Sequence, residues 1–166
     1  MKNIFLIGFM GCGKSTIAAA LSQNYGMEII EMDQVLVERE GMSIPEMFAK
    51  HGETYFRDAE TALVADIQKE ANKVVSCGGG VVLREENVEK MKSNGLVVWL
   101  TAEPETILER VKDDHNRPLL EGNKNVDYIR DMMEKRREKY EGAADAVVNT
   151  DGKSAETICK EIYDYV

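Results

Sequence analysis

Residues 8–16 read GFMGCGKST, preceded by the apolar run KNIFLI (2–7) and followed by IAAALSQNYG (17–26). Gly8, Gly13, Lys14 and Ser15 match the pattern G-x-x-x-x-G-K-[S/T] in full, and the match stands between a strand that stops at Gly8 and a helix that starts at Lys14. Glycines let the backbone curl until several N–H groups aim at one anion. The helix N-terminus adds the positive end of its dipole, and Lys14 adds a mobile full charge. The bland reading, an ordinary glycine turn before a helix, does not require all four positions. The stretch therefore predicts a phosphate-holding loop in which Gly11, Cys12, Gly13, Lys14, Ser15 and Thr16 contact a nucleoside triphosphate. Ser15 is expected to place its hydroxyl on a Mg2+ that bridges the β- and γ-phosphates.

Working outward, the helix after the loop stops near Gly26, and MEIIEMD (27–33) reads as a second strand. Its alternation would put the carboxylates of Glu31 and Asp33 on one face at the carboxyl end. Ser43-Ile44-Pro45-Glu46 has the spacing of a capping box and opens a short helix through Ala49. A longer helix is predicted over 53–71, where Phe56, Ala59, Leu63 and Ile67 repeat at three or four and leave Arg57 beside the apolar stripe. KVVSC (73–77) is a buried-type strand that runs into Gly78-Gly79-Gly80. A polar helix over 85–93 ends at Gly95, and LVVWL (96–100), without alternation, predicts a strand covered on both faces. A helix over 105–112 precedes DDHNRPLLEGNKN (113–125), a polar segment with Pro and Gly that reads as a mobile flap. A charged helix (126–140), a strand at DAVVNT (145–150) and a Ser-capped helix (154–166) complete the chain.

Strands separated by helices, with short connections, predict a three-layer α/β sandwich on a five-stranded parallel sheet: one domain, 1–166, with the flap inside it. Ligands of such sheets bind at the carboxyl ends of the strands. Gly8, Asp33, Gly78 and Thr101 all fall at such ends.

The chain has 166 residues, 43% hydrophobic and 31% charged, with a net charge of −9 and a pI near 4.8. That field repels polyanions, so no nucleic-acid or membrane-surface partner is expected and an anionic ligand must be captured locally. No apolar run approaches the roughly 20 residues that span a bilayer, and MKNIFLIGFMG is too short and glycine-broken for a signal peptide, so a cytoplasmic location is expected. Cys12, Cys77 and Cys159 are far apart and suit neither a disulfide framework nor a zinc site. Cys12 has two readings: a thiol whose pKa is lowered by loop amides and Lys14, or a small neutral filler. His51 and His115 lie beside no candidate nucleophile and read as solvated.

In this order and spacing, LIGFMGCGKST, Asp33, GETYFRDAE (52–60), VVSCGGG (74–80), RPLL (117–120) and KRREKYEGAAD (135–145) resemble the shikimate kinases. These are small members of the nucleoside monophosphate kinase-like group of P-loop enzymes, and the resemblance covers nearly the whole chain. It implies ATP-dependent phosphorylation of the 3-hydroxyl of shikimate, with ATP and Mg2+, by a monomer with a mobile lid. It assigns the substrate carboxylate to Arg57 and Arg136, whose planar forks suit carboxylate. Gly78, Gly79 and Gly80 would let backbone approach the ring. Asp33 would bind the reacting hydroxyl and accept its proton. Lys14 and the lid residue Arg117 would stabilise charge on the transferring group. Arg110 and Lys153 fall at the adenine end, although lysine cannot reproduce the stacking of the arginine commoner there. Shikimate kinases usually carry Asp-x-Asp where this chain has Glu31-Met32-Asp33; Glu31 keeps the charge for Mg2+ but adds a methylene. Gluconate kinase is the nearest alternative enzyme, and a catalytically silent nucleotide-binding module or switch is the alternative of another class. A guanine-reading N-K-x-D is not met, since NKNVD (123–127) has its Asp one position late.

Overall fold

The computed structural model describes residues 2–112 and 125–166. The segment expected to be a flap, with Arg117 and His115, lies outside the described residues apart from Asn125. The strand Asn3–Ile7 (β1) is buried throughout, because it runs mid-sheet with both faces covered. It is accompanied, among the described residues, by Glu28–Glu31 (β2), Lys73–Ser76 (β3), Gly95–Thr101 (β4) and Ala146–Asn149 (β5). These form one five-stranded sheet in the order β2-β3-β1-β4-β5, and every neighbouring pair is parallel. The register sets Leu6 opposite Ser76, and Ser76 opposite Glu31, so three strands end at one level.

The connections are the helices Lys14–Tyr25 (α1), Met32–Glu40 (α2), Ile44–His51 (α3), Glu53–Ile67 (α4), Glu85–Asn94 (α5), Pro104–Val111 (α6), Val126–Ala143 (α7) and Ala155–Tyr163 (α8). Successive residues of β1 point to opposite faces. Ile4 and Leu6 enter a core with Ile17 and Leu21 of α1 and Ile158 and Ile162 of α8. Phe5 and Ile7 enter a second core with Leu63 and Ile67 of α4 and Met91 of α5. Each such side chain contributes about 1.5–3 kcal/mol by burial, so the sheet is clamped from both sides and its strand ends are fixed platforms. The result is the expected three-layer sandwich. No helix among the described residues is long and apolar enough to cross a membrane.

Local differences from the sequence reading have physical causes. The second strand stops at Glu31, and Met32 and Asp33 belong to the first turn of α2. Met32 and Leu36, four apart, are both buried, a helical repeat that competes with the strand alternation. The shared strand face expected for Glu31 and Asp33 therefore does not exist. The helix expected to reach 71 ends at Ile67, the last residue of its buried stripe, and Asn72 turns the chain with φ 59°. A short 3-10 turn, Val81–Leu83, follows the triple glycine, and α7 runs on to Ala143 because Tyr140 and Ala143 extend its buried face.

Candidate active site

The loop after β1 needs its glycines. Gly8 (φ 148°) and Gly13 (φ 102°) lie where a side chain is strained, and a Cβ on Gly8 would come within 2.6 Å of the buried Cys12 sulfur. Gly13 caps α1 with backbone alone, and no side chain among the described residues caps that first turn. Its free amides and the helix dipole are thus presented together at the sheet's carboxyl end. Lys14 Nζ donates to the carbonyls of Gly8 (2.7 Å) and Phe9 (3.2 Å), which folds the ammonium back along the loop. The loop forms one wall of a cleft of about 540 Å³ that Gly11, Gly13, Lys14, Ser15 and Thr16 help to line.

Opposite the loop, Glu31, Asp33, Ser76 and Gly79 line the same cleft. Ser15 Oγ donates to Glu31 Oε2 at 3.0 Å and lies 3.5 Å from Ser76 Oγ. Arg110 of α6 donates from Nη1 to Gly11 O at 3.0 Å and stands over the loop. Lys153 is not among the cleft residues; it pairs with Glu161 at 3.0 Å. Cys12, within the loop, has its side chain buried in the core. Burial pushes the Cys77 thiol, at the cleft floor, far above the usual cysteine range, which leaves it a poor nucleophile.

The second half of the site gathers on the glycines that follow β3. Arg57 and Arg136 are only 8% and 7% exposed, on α4 and α7 respectively. A Cβ on Gly80 would sit 2.6 Å from Nη2 of Arg57, and one on Gly79 would sit 3.6 Å from Nη1 of Arg136. A Cβ on Gly78 would meet Glu60 Oε2 at 2.6 Å and Asp33 Oδ1 at 3.1 Å. Two guanidinium groups and two carboxylates therefore converge on three residues that lack side chains. Larger residues there would displace the charged groups.

Arg57 is held by Glu60 (Nη1 to Oε1, 3.0 Å) and by Glu53 (Nε to Oε2, 3.3 Å). Arg136 Nη1 and Glu60 Oε2 are buried without a hydrogen-bond partner among the described residues. Burial raises the Glu60 carboxyl above the ordinary glutamate range; the charge of Arg57 and its hydrogen bond act the other way, and nearby Asp33 adds to the rise. An unpartnered buried guanidinium is costly unless an anion meets it, and the open Nη1 of Arg136 marks where one fits.

Glu60 escaped the sequence reading. Its signal was a carboxylate within the apolar stripe of α4, four residues after Phe56 and three before Leu63. Ser76, at the end of β3, carried no signal beyond its position. Among the described residues no three His, Cys, Asp or Glu side chains form a metal cluster. The Ser15–Glu31 oxygen pair instead suits a hard cation that takes one or two protein oxygens and completes its shell from phosphate and water.

A family model described as shikimate kinase matches residues 10–166. The shikimate kinase of Persephonella marina is 43% identical over 162 residues, which cover 98% of this chain and 97% of that protein. Among solved structures, shikimate kinase from Acinetobacter baumannii in complex with shikimate superposes with a TM-score of 0.94 at 32% identity, covering 99% of this chain and 92% of that one. Shikimate kinase from Aquifex aeolicus gives 0.82 at 40% identity, covering 97% and 94%. The parallel sheet and its flanking helices are those of the nucleoside monophosphate kinase-like P-loop fold.

Proposed function

This chain belongs to the shikimate kinase family, and we propose from that premise how its side chains divide the work. It is an ATP-dependent kinase that phosphorylates shikimate at the 3-hydroxyl, giving shikimate 3-phosphate and ADP. The amides of residues 11–16 cradle the phosphates, and Lys14 leaves the Gly8 and Phe9 carbonyls to reach the β- and γ-phosphates. Arg110 borders the adenine end, and Lys153 joins it there by giving up Glu161. Arg57 and Arg136 grip the shikimate carboxylate, with Gly78 to Gly80 against the ring. Asp33 aims the 3-hydroxyl along the line of the leaving oxygen and takes its proton as the new O–P bond forms.

Ser15 and Glu31 are the residues that would hold Mg2+, which when bound neutralises charge on the β- and γ-phosphates. Family resemblance gives Arg117 the charge that builds on the transferring group. We take the protein as a cytoplasmic monomer without nucleic-acid or membrane partners, in keeping with its net charge of −9.

The observation that supports this division best is the meeting of buried Arg57 and Arg136 at one glycine segment, whose Gly79 also lines the phosphate cleft. The gluconate kinase and silent-module readings gain no support from relatives that carry the name shikimate kinase. A coupled ADP-release assay with shikimate, gluconate and nucleoside monophosphates tests the function: turnover is expected with shikimate alone. Equal ADP release with every acceptor, or with none, would contradict it.

A further inference from the structure

Tyr140 lies one helical turn beyond Arg136 on α7 and is 2% exposed. Its ring stacks on Trp99 of β4, with centroids 5.6 Å apart, and a phenylalanine would pack there equally well. The hydroxyl does something a phenylalanine cannot: it donates to the carbonyl of Gly79 at 2.5 Å. The Arg136 guanidinium acts on the same phenol through its charge. A hydroxyl has one proton to give, and Tyr140 gives it to Gly79. Burial pushes the phenol well above the ordinary tyrosine range, which keeps that proton in place at any working pH.

Because a peptide unit is planar, fixing Gly79 O also fixes the following N–H, which points away from the tyrosine. Gly79 is enclosed on its other sides as well: a Cβ there would lie 3.4 Å from Met10 N of the phosphate loop and 3.6 Å from Arg136 Nη1. The segment is a thin partition between the two halves of the site, and a glycine partition has little rigidity of its own.

We propose that Tyr140 is a positioning residue for the phosphoryl acceptor: its hydroxyl ties the Gly79 carbonyl to the helix turn that carries Arg136, so that the glycine segment and the guanidinium present one preset surface to the shikimate carboxylate and ring. This rests on the reading of Arg136 and Gly79 as acceptor-binding groups.

Tyr140→Phe keeps the buried ring and removes the hydroxyl alone. Shikimate binding, measured by calorimetry without nucleotide, is expected to weaken about fivefold, the usual effect of deleting one intramolecular hydrogen bond. KM for shikimate should follow, while KM for ATP and kcat stay within about twofold. Combined with Arg136→Lys, the loss should be smaller than the product of the two single losses, because the residues act through one another. An unchanged shikimate affinity overturns the proposal. So does a parallel rise in both KM values with a lowered Tm, which is the mark of general loosening. If Tyr140→Phe does not fold, the native protein labelled with 13Cζ-tyrosine decides: the Tyr140 resonance, assigned through its contact with Trp99, should move with shikimate and not with ADP. Any other response refutes it. An Arg136→Lys variant that binds shikimate as tightly as the parent removes the underlying site reading, whereas a loss there without one in Tyr140→Phe removes the role of Tyr140 alone.

Discussion

Arg136 carries the sharpest tension at the level of single residues. Its guanidinium is 7% exposed and Nη1 has no partner among the described residues, so the protein without ligand bears a desolvation cost that a bound carboxylate relieves. Arg136→Met should therefore weaken shikimate binding roughly 100-fold or more while leaving Tm unchanged or raised; a lowered Tm with intact binding would make Arg136 a structural residue instead. Glu60 gives a second test, through pH. Burial holds its carboxyl above the ordinary glutamate range, so its protonated form suits the fold. The stability it contributes is full below about pH 4.5 and is lost as pH rises through the elevated folded value. Glu60→Gln cannot ionise, so its stability relative to the parent should climb across that interval; urea unfolding at several pH values reads the difference, and a pH-independent offset would contradict the assignment. Arg57 and Arg136 stand out in the sequence only through the family pattern, since arginine on a helix is solvated by default. Glu60 was hidden for a related reason: a charged residue in an apolar stripe reads as an interruption until Arg57 is seen beside it.

At the scale of elements, legibility followed the strength of the local signal. The phosphate loop, β1 and α1 are plain in residues 2–26 because glycine chemistry and apolar pattern agree there. Residues 27–40 were harder: strand alternation runs into the Met32–Leu36 helical repeat, and only packing against the core decides where β2 yields to α2. That boundary matters, because Asp33 points from a helix turn and not from a strand. The glycine segment after β3 is an element in its own right, defined by what a side chain would strike. Gly80→Ala should push its methyl into the Arg57 guanidinium and raise KM for shikimate by about tenfold or more, since misplaced positioning groups are costly, with KM for ATP within twofold. Equal effects on both substrates would mean that the segment serves the whole cleft.

For the molecule as a whole, sheet order does the assembling. β3 and β1 are neighbours and β2 flanks β3, so the phosphate loop, the glycine segment and Glu31 emerge side by side at one edge of the sheet. Helix α7 then brings Arg136 across from Arg57, some 80 positions earlier in the chain. Local pattern cannot show that meeting; the fold class was readable from strands alternating with helices, but the approach of Arg57 and Arg136 to the same glycines belongs to tertiary structure. A protein of net charge −9 thus sets individual cations, Lys14 and Arg110 at the cleft and Arg57 and Arg136 at the glycine segment, where they can meet two anionic substrates at short range despite the distant field. A crystal structure with shikimate and ADP bound tests this most directly. The shikimate carboxylate should lie within hydrogen-bond distance of both Arg57 and Arg136, with the 3-hydroxyl facing Asp33 across the cleft from Lys14. A carboxylate seated elsewhere, with both guanidinium groups turned away from it, would contradict the account.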